Sequence, residues 1–217
     1  AGIDEISYAD RTGTVRVTLV GGVDDGAAGE ADSVVAVENA RGGAGKDTLI
    51  GTAGANVLSG SAGNDTITDG LGPDVVLGGD GDDVFLQGAI ADPNDEFTGG
   101  LGADTISYAS RATATRIELH NGQLGNGAPE ENDSADQIER ATGGSGDDNI
   151  VGDGFDNLLR GGAGNDSIVA LAGADTLHGD AGDDQLDTTD GTGGNDVSHG
   201  GPGDDVFFHD VGDITNQ

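Results

Sequence analysis

The chain of 217 residues is long enough for one or two ordinary domains, yet only 3% of it is aromatic and it has no Trp, Met or Cys. That excludes disulfide stapling, thiol catalysis and a conventional thick core. Asp and Glu outnumber Lys and Arg by 41 to 8, a formal charge of -33, so nucleic acid and anionic membranes are excluded as partners unless a cation bridges them.

Gly contributes 43 residues, and glycine entropy together with self-repulsion opposes compaction. Ala1-Gly2-Ile3-Asp4 has neither the basic start nor the apolar stretch of a signal peptide, and no initiator Met is present, so the sequence reads as a piece of a longer protein. No apolar run approaches the roughly 20 residues that a membrane span needs. Residues 1–41 form a linking segment, strand-rich where Val15 to Val20 carries β-branched residues.

From Gly42 onward the chain follows a nine-residue unit, G-G-x-G-x-D-x-U-x, with U a large apolar residue. Full matches are Gly42 to Ile50, Gly78 to Leu86, Gly99 to Ser107, Gly143 to Val151, Gly161 to Val169 and Gly200 to Phe208. Weaker copies at Gly51, Gly60, Asp69, Gly152, Ala170 and Gly179 fill the intervals. At Asp69 and Ala170 the first glycine is missing, which predicts a distorted turn. Residues 87–98 and 188–199 each hold twelve residues where nine are expected, a matched insertion that reads as a loop on one side of a solenoid.

A longer period lies over the first. Ile6-Ser7-Tyr8-Ala9-Asp10-Arg11 returns as Ile106-Ser107-Tyr108-Ala109-Ser110-Arg111, and Gly42, Asn56 and Asp65 return as Gly143, Asn157 and Asp166. Two tandem modules follow: 1–98, with linking segment 1–41 and nonapeptide block 42–98; and 99–217, with linking segment 99–142, block 143–208 and C-terminal cap 209–217. Arg116 to His120 is the second linking segment's strand, and the stretch between Ser107 and Gly143 predicts an interruption between the blocks.

The nonapeptide resembles the calcium-binding repeat of the RTX (hemolysin-type) family, an identification made on the motif itself. The linking segments are similar to those before the RTX block of serralysin-type proteases, notably Asp104-Thr105-Ile106-Ser107-Tyr108-Ala109-Ser110 and Gln137-Ile138-Glu139-Arg140-Ala141. That family's protease domain is absent from the sequence. The resemblance implies an all-β fold, a Ca²⁺-stabilised right-handed parallel β-roll, and a bacterial protein secreted by a type I route.

In such a roll the first six residues of a unit turn the chain and x-U-x forms a short strand with its centre pointing inward. The inward column reads Leu49, Leu58, Ile67, Val76 and Phe85, then Ile150, Leu159, Ile168, Leu177 and Leu186. One such residue in nine, at about 1.5–3 kcal/mol each, does not offset backbone ordering at about 1–2 kcal/mol per residue. A further term is required.

Two units make a turn, so sixth positions stack eighteen residues apart. One edge carries Asp47, Asp65, Asp83 and Asp104, and the other Asn56, Asp74 and Asp95. The second block repeats this with Asp148, Asp166, Asp184 and Asp205, and with Asn157, Asp175 and Asp196. Stacked carboxylates repel when bare and form hard oxygen sites around a divalent ion. The remaining ligands are carbonyls of the turn glycines Gly42, Gly45, Gly60, Gly63, Gly78, Gly81, Gly143, Gly146, Gly161, Gly164, Gly179, Gly182, Gly200 and Gly203. Many protein oxygens favour Ca²⁺ over Mg²⁺, and the lack of thiolate and paired His disfavours Zn²⁺. Asn56 and Asn157 bring no charge and predict weaker or altered sites.

No catalytic residues are assigned and the chain is not read as an enzyme: carboxylates lie everywhere, and neither H-E-x-x-H nor G-x-S-x-G occurs. His120, His178, His199 and His209 read as solvated. The expected function is a module that folds on binding calcium after export. The alternative is a module binding extracellular polysaccharide or a cell surface through Tyr8, Tyr108, Arg11, Arg16, Arg111 and Arg116.

Overall fold

The computed structural model describes residues 2–22, 25–30, 32–92, 94–119, 124–129, 131–191 and 194–216. All regular structure among them is β-strand, mostly three residues long and paired in parallel, so the fold is an all-β parallel roll. No helix among the described residues is long and apolar enough to cross a membrane.

Why the strands are short follows from the unit. Glycine-rich turns occupy most of each nonapeptide and leave x-U-x to pair: Thr48–Ile50 pairs with Thr66–Thr68, and Thr66 and Ile67 pair with Val84 and Phe85. Each partner lies eighteen residues on, so two units make one coil. The U residues of both predicted columns are buried at 0–1% exposure. Phe97, Ile106, Ile117 and Ile138 extend the column through the insertions and linking segments.

One sheet of eleven strands runs the length of the roll. It begins with Gly26–Ala27 antiparallel to Val15–Thr18 and continues in parallel to Ile214–Asn216. The opposite face is divided between a sheet of seven strands ending at Asp133–Asp136 and Leu124–Asn126, and one of five strands starting at Arg116–Glu118. The segment between Ser107 and Gly143 therefore interrupts one face and not the other. An antiparallel bridge between Arg116 and Gly127 spans the gap. Glu5–Ser7 lies in the seven-stranded sheet, whereas its copy Thr105–Ser107 lies in the eleven-stranded one, so the repeated segment enters the roll on opposite faces. The strands expected at Val15 to Val20 and Arg116 to His120 are Val15–Thr18 and Arg116–Glu118. His120 lies outside the described residues.

The twelve-residue units keep register. Leu77 pairs with Thr98 and Gly79 with Gly100, as His178 pairs with His199, so the three extra residues bulge from one side. Turns at Asp69 and Ala170 also keep it, since Val57 pairs with Val75 and Leu158 with Thr176. The distortion expected there does not show at the second position of the unit, where Gly70 and Leu171 take positive φ of 114° and 74° as Gly79 (119°) and Asp180 (73°) do in neighbouring units that begin with glycine.

Candidate metal centre

Each turn delivers its sixth residue to the edge of the roll with the side chain folded inward, and every predicted Asp ligand but Asp205 is buried. Their bonding repeats from coil to coil. Oδ1 of Asp65 accepts the backbone N–H of Asp47 at 2.7 Å, Oδ1 of Asp83 that of Asp65 at 2.7 Å, and Oδ1 of Asp104 that of Asp83 at 2.7 Å. On the other edge Asp74 serves Asn56 at 2.6 Å and Asp95 serves Asp74 at 2.8 Å. In the second block Asp166, Asp184 and Asp205 serve Asp148, Asp166 and Asp184, and Asp175 and Asp196 serve Asn157 and Asp175. One oxygen of each carboxylate thus knits neighbouring coils.

Oδ2 of Asp47 and Asp148, at the first coil of each block, accepts the N–H of Gly43 and Gly144 at 2.6 Å, but further along the ladder the second oxygen is left over. Oδ2 of Asp65, Asp74, Asp83, Asp95, Asp104, Asp166, Asp175, Asp184 and Asp205 is buried without a hydrogen-bond partner. A row of buried carboxylate oxygens lacking donors is expensive unless a cation or a proton meets them. Burial pushes Asp65, Asp74 and Asp166 up to about 7, and Asp83, Asp104 and Asp175 up to about 6. Neighbouring carboxylates add to the rise.

Beside Oδ2 of Asp65, Asp83, Asp104, Asp166 and Asp184 lies backbone oxygen. A methyl group placed on Gly42, Gly60, Gly78, Gly143, Gly161 or Gly179 would collide with Oδ2 of the aspartate five residues on and with the carbonyl of the first residue one coil further. Glycine is required here because carboxylate and carbonyl oxygens converge on its α-carbon. At the fourth position the carbonyls of Gly45, Gly63, Gly146 and Gly164 likewise press against Gly63, Gly81, Gly164 and Gly182 of the next coil. Gly200 stands against Asp205 Oδ2, and Gly203 against the carbonyl of Gly182. Anionic and carbonyl oxygens crowded between coils are the donor set of a hard divalent ion.

Asn56 and Asn157 open the second edge of each block, and their amides explain the change from Asp. Asn56 Nδ2 donates to the carbonyl of Glu38 at 2.5 Å, and Asn157 Nδ2 to that of Glu139 at 3.4 Å. A donor, not a charge, faces the linking segment there.

Three groups at ladder ends escape the eighteen-residue rule. Asp133 Oδ1 accepts the N–H of Asp95 at 3.0 Å, Glu139 Oε2 that of Asp104 at 2.8 Å, and Asp213 Oδ1 that of Asp196 at 3.3 Å. Separations of 38, 35 and 17 residues hide them from the period. Asp69, seen in sequence only as a lost glycine, is buried with one carboxylate oxygen within 4.8 Å of oxygens from Asp74 and Asp95.

The duplicated aromatic and basic residues meet different fates. Arg111 is 2% exposed, with Nη1 2.9 Å from Glu131 Oε1 in a charge contact lacking hydrogen-bond alignment. Its Nε donates to the carbonyl of Gly88, and its guanidinium lies 5.6 Å from the ring of the buried Tyr108. Arg11 makes the corresponding pair with Glu30 at 3.0 Å at the exposed end of the roll. Histidines expected to be solvated and unpaired are partly otherwise: His178 and His199 are half-buried and stack with centroids 4.8 Å apart, because their 21-residue separation sets them side by side on adjacent strands.

A parallel β-roll whose coils meet through stacked, half-satisfied aspartates defines a calcium-binding solenoid. The model of the RTX calcium-binding nonapeptide repeat matches residues 41–68, 59–86, 94–109, 142–177, 160–192 and 190–213, more than half of the chain, and the chain belongs to that family. Its repeats bind Ca²⁺. No curated protein matches the chain.

Proposed function

We propose that the chain is a folding module of a secreted bacterial protein: unfolded at low calcium, exported in that state, and wound into its roll where calcium is abundant. The ligands would be the carboxylates of Asp47, Asp65, Asp83 and Asp104 with Asp74 and Asp95, and in the second block Asp148, Asp166, Asp184 and Asp205 with Asp175 and Asp196. Carbonyls of the turn glycines complete each shell. The observation that carries this reading is the row of buried Oδ2 atoms without partners. Those oxygens repel one another when ionised and bind once an ion sits between coils, so ion uptake and folding become one event.

Residues 1–98 and 99–217 act as two such modules in series. An extracellular location fits a family characteristic of secreted bacterial proteins, and a type I route would deliver the chain unfolded. The role is structural, with no catalytic residues assigned. Attachment to polysaccharide or a cell surface would need residues other than Tyr108 and Arg111, which are buried at the junction. Circular dichroism at pH 7.5 tests the proposal: a coil spectrum in chelator and a β spectrum in millimolar Ca²⁺ is the expected result, and a cooperative fold already present in chelator contradicts it.

A further inference from the structure

The second edge of the first block departs from the ladder at one coil. Every unit with a full match to the repeat begins with glycine, whereas the unit ending in Val75–Leu77 begins with Asp69 and the next unit on the same edge with Gln87. Asp69 is held rigidly, its Oδ1 accepting the N–H of Gly70 at 2.9 Å and its Oδ2 accepting Gln87 Nε2 at 3.0 Å. One of its oxygens lies within 4.8 Å of oxygens from Asp74 and Asp95, and all three residues are buried at 0–1% exposure.

The carboxylates of Asp74 and Asp95 are each spent on one backbone N–H through Oδ1, and their Oδ2 atoms have no partner. A third orphan, Oδ2 of Asp92, lies in the same twelve-residue unit as Asp95. Elsewhere at most two stacked ladder carboxylates face a gap between coils. Here there are three, and the second block has no equivalent, because Ala170 stands where Asp69 does and Thr188 where Gln87 does.

Resting on the calcium reading above, we propose that Asp69, Asp74 and Asp95 form a separate class of site, a three-carboxylate centre that binds a hard cation more tightly than any two-carboxylate site of the roll and fills first. Affinity for Ca²⁺ rises with the number of charged ligands and with the rigidity of the cage. This centre exceeds its neighbours in both, through the added Asp69 and the amide of Gln87 that fixes it. It also lies directly under the module junction, since Asp95 and Asp92 give their N–H groups to Asp133 and Glu131 of the second linking segment. The first ion bound therefore ties the end of the first block to the start of the second.

The full chain, stripped of metal and titrated with Ca²⁺ against a chromophoric chelator, tests this. The expected result is one ion per chain in the tightest class, at least tenfold weakened by Asp69→Asn, with the β spectrum at saturating Ca²⁺ retained because Asn still accepts from Gly70. Ala170→Asp combined with Thr188→Gln should add a second tight ion, and this variant decides the matter if Asp69→Asn does not fold. A tightest class unchanged by Asp69→Asn, or no gain from the paired Ala170→Asp and Thr188→Gln, overturns the proposal while leaving the calcium ladder standing. Failure of the unaltered chain to take up Ca²⁺ would overturn the functional reading as well.

Discussion

At the scale of a residue, the aspartates of the ladder do two jobs with two oxygens, and substitution can separate them. Asp65→Asn keeps an acceptor for the N–H of Asp47 but removes the charge, so the Ca²⁺ midpoint of folding should rise several-fold with little change in stability at saturation. Asp65→Ala also orphans that N–H, which adds a loss of about 1–3 kcal/mol at saturating Ca²⁺. Denaturant titrations at fixed calcium read both effects, and identical behaviour of the two variants would contradict the division of labour. Ser61 stands at the second position of its unit with φ of 83°, where Gly79 and Gly100 have 119° and 116°. Ser61→Gly should relieve left-handed strain and raise stability by about 1 kcal/mol, net of the entropy glycine adds to the unfolded chain.

At the scale of an element, the junction is the part held by something other than the repeat. Arg111 and Glu131 are almost fully buried, whereas their copies Arg11 and Glu30 meet at the exposed end. Arg111→Ala should cost about 3–5 kcal/mol by leaving Glu131 buried without its countercharge. Arg11→Ala should cost less than about 1 kcal/mol. Chemical denaturation of the two calcium-saturated variants compares them, and equal losses would contradict this account of the junction.

The blocks on either side were legible because period and register coincide: Leu49 over Ile67 and Asp47 under Asp65 follow from eighteen-residue spacing alone. The junction was not, because the linking segments break that spacing. Asp133 and Glu139 close the ladders from 38 and 35 residues away. The burial of Arg111 against Gly88 likewise depends on where an irregular segment lands. Asp69 was missed for another reason: a departure from consensus reads as a defect until its neighbours are seen in space.

At the scale of the molecule, the proposed reading makes the fold depend on pH as well as on calcium. Ordinary aspartate titrates near 3.8, whereas burial raises Asp83 to about 6, Asp65 to about 7 and Asp95 to about 8. The roll thus holds protons that the unfolded chain has released. In chelator the contribution of these carboxylates to stability is fully present below about pH 4 and is lost as pH rises through roughly 6 to 8. Circular dichroism in chelator should show more β structure at pH 5 than at pH 7.5. Calcium binding at pH 6.5 should release protons, which calorimetry in buffers of different ionisation enthalpy detects.

The claim that divalent ions join successive coils is tested most directly by a crystal structure grown in millimolar Ca²⁺. Anomalous density between coils, within about 2.3–2.6 Å of aspartate Oδ2 and glycine carbonyl oxygens, is the result this account predicts. Aspartates turned toward solvent with no metal between the coils would contradict it.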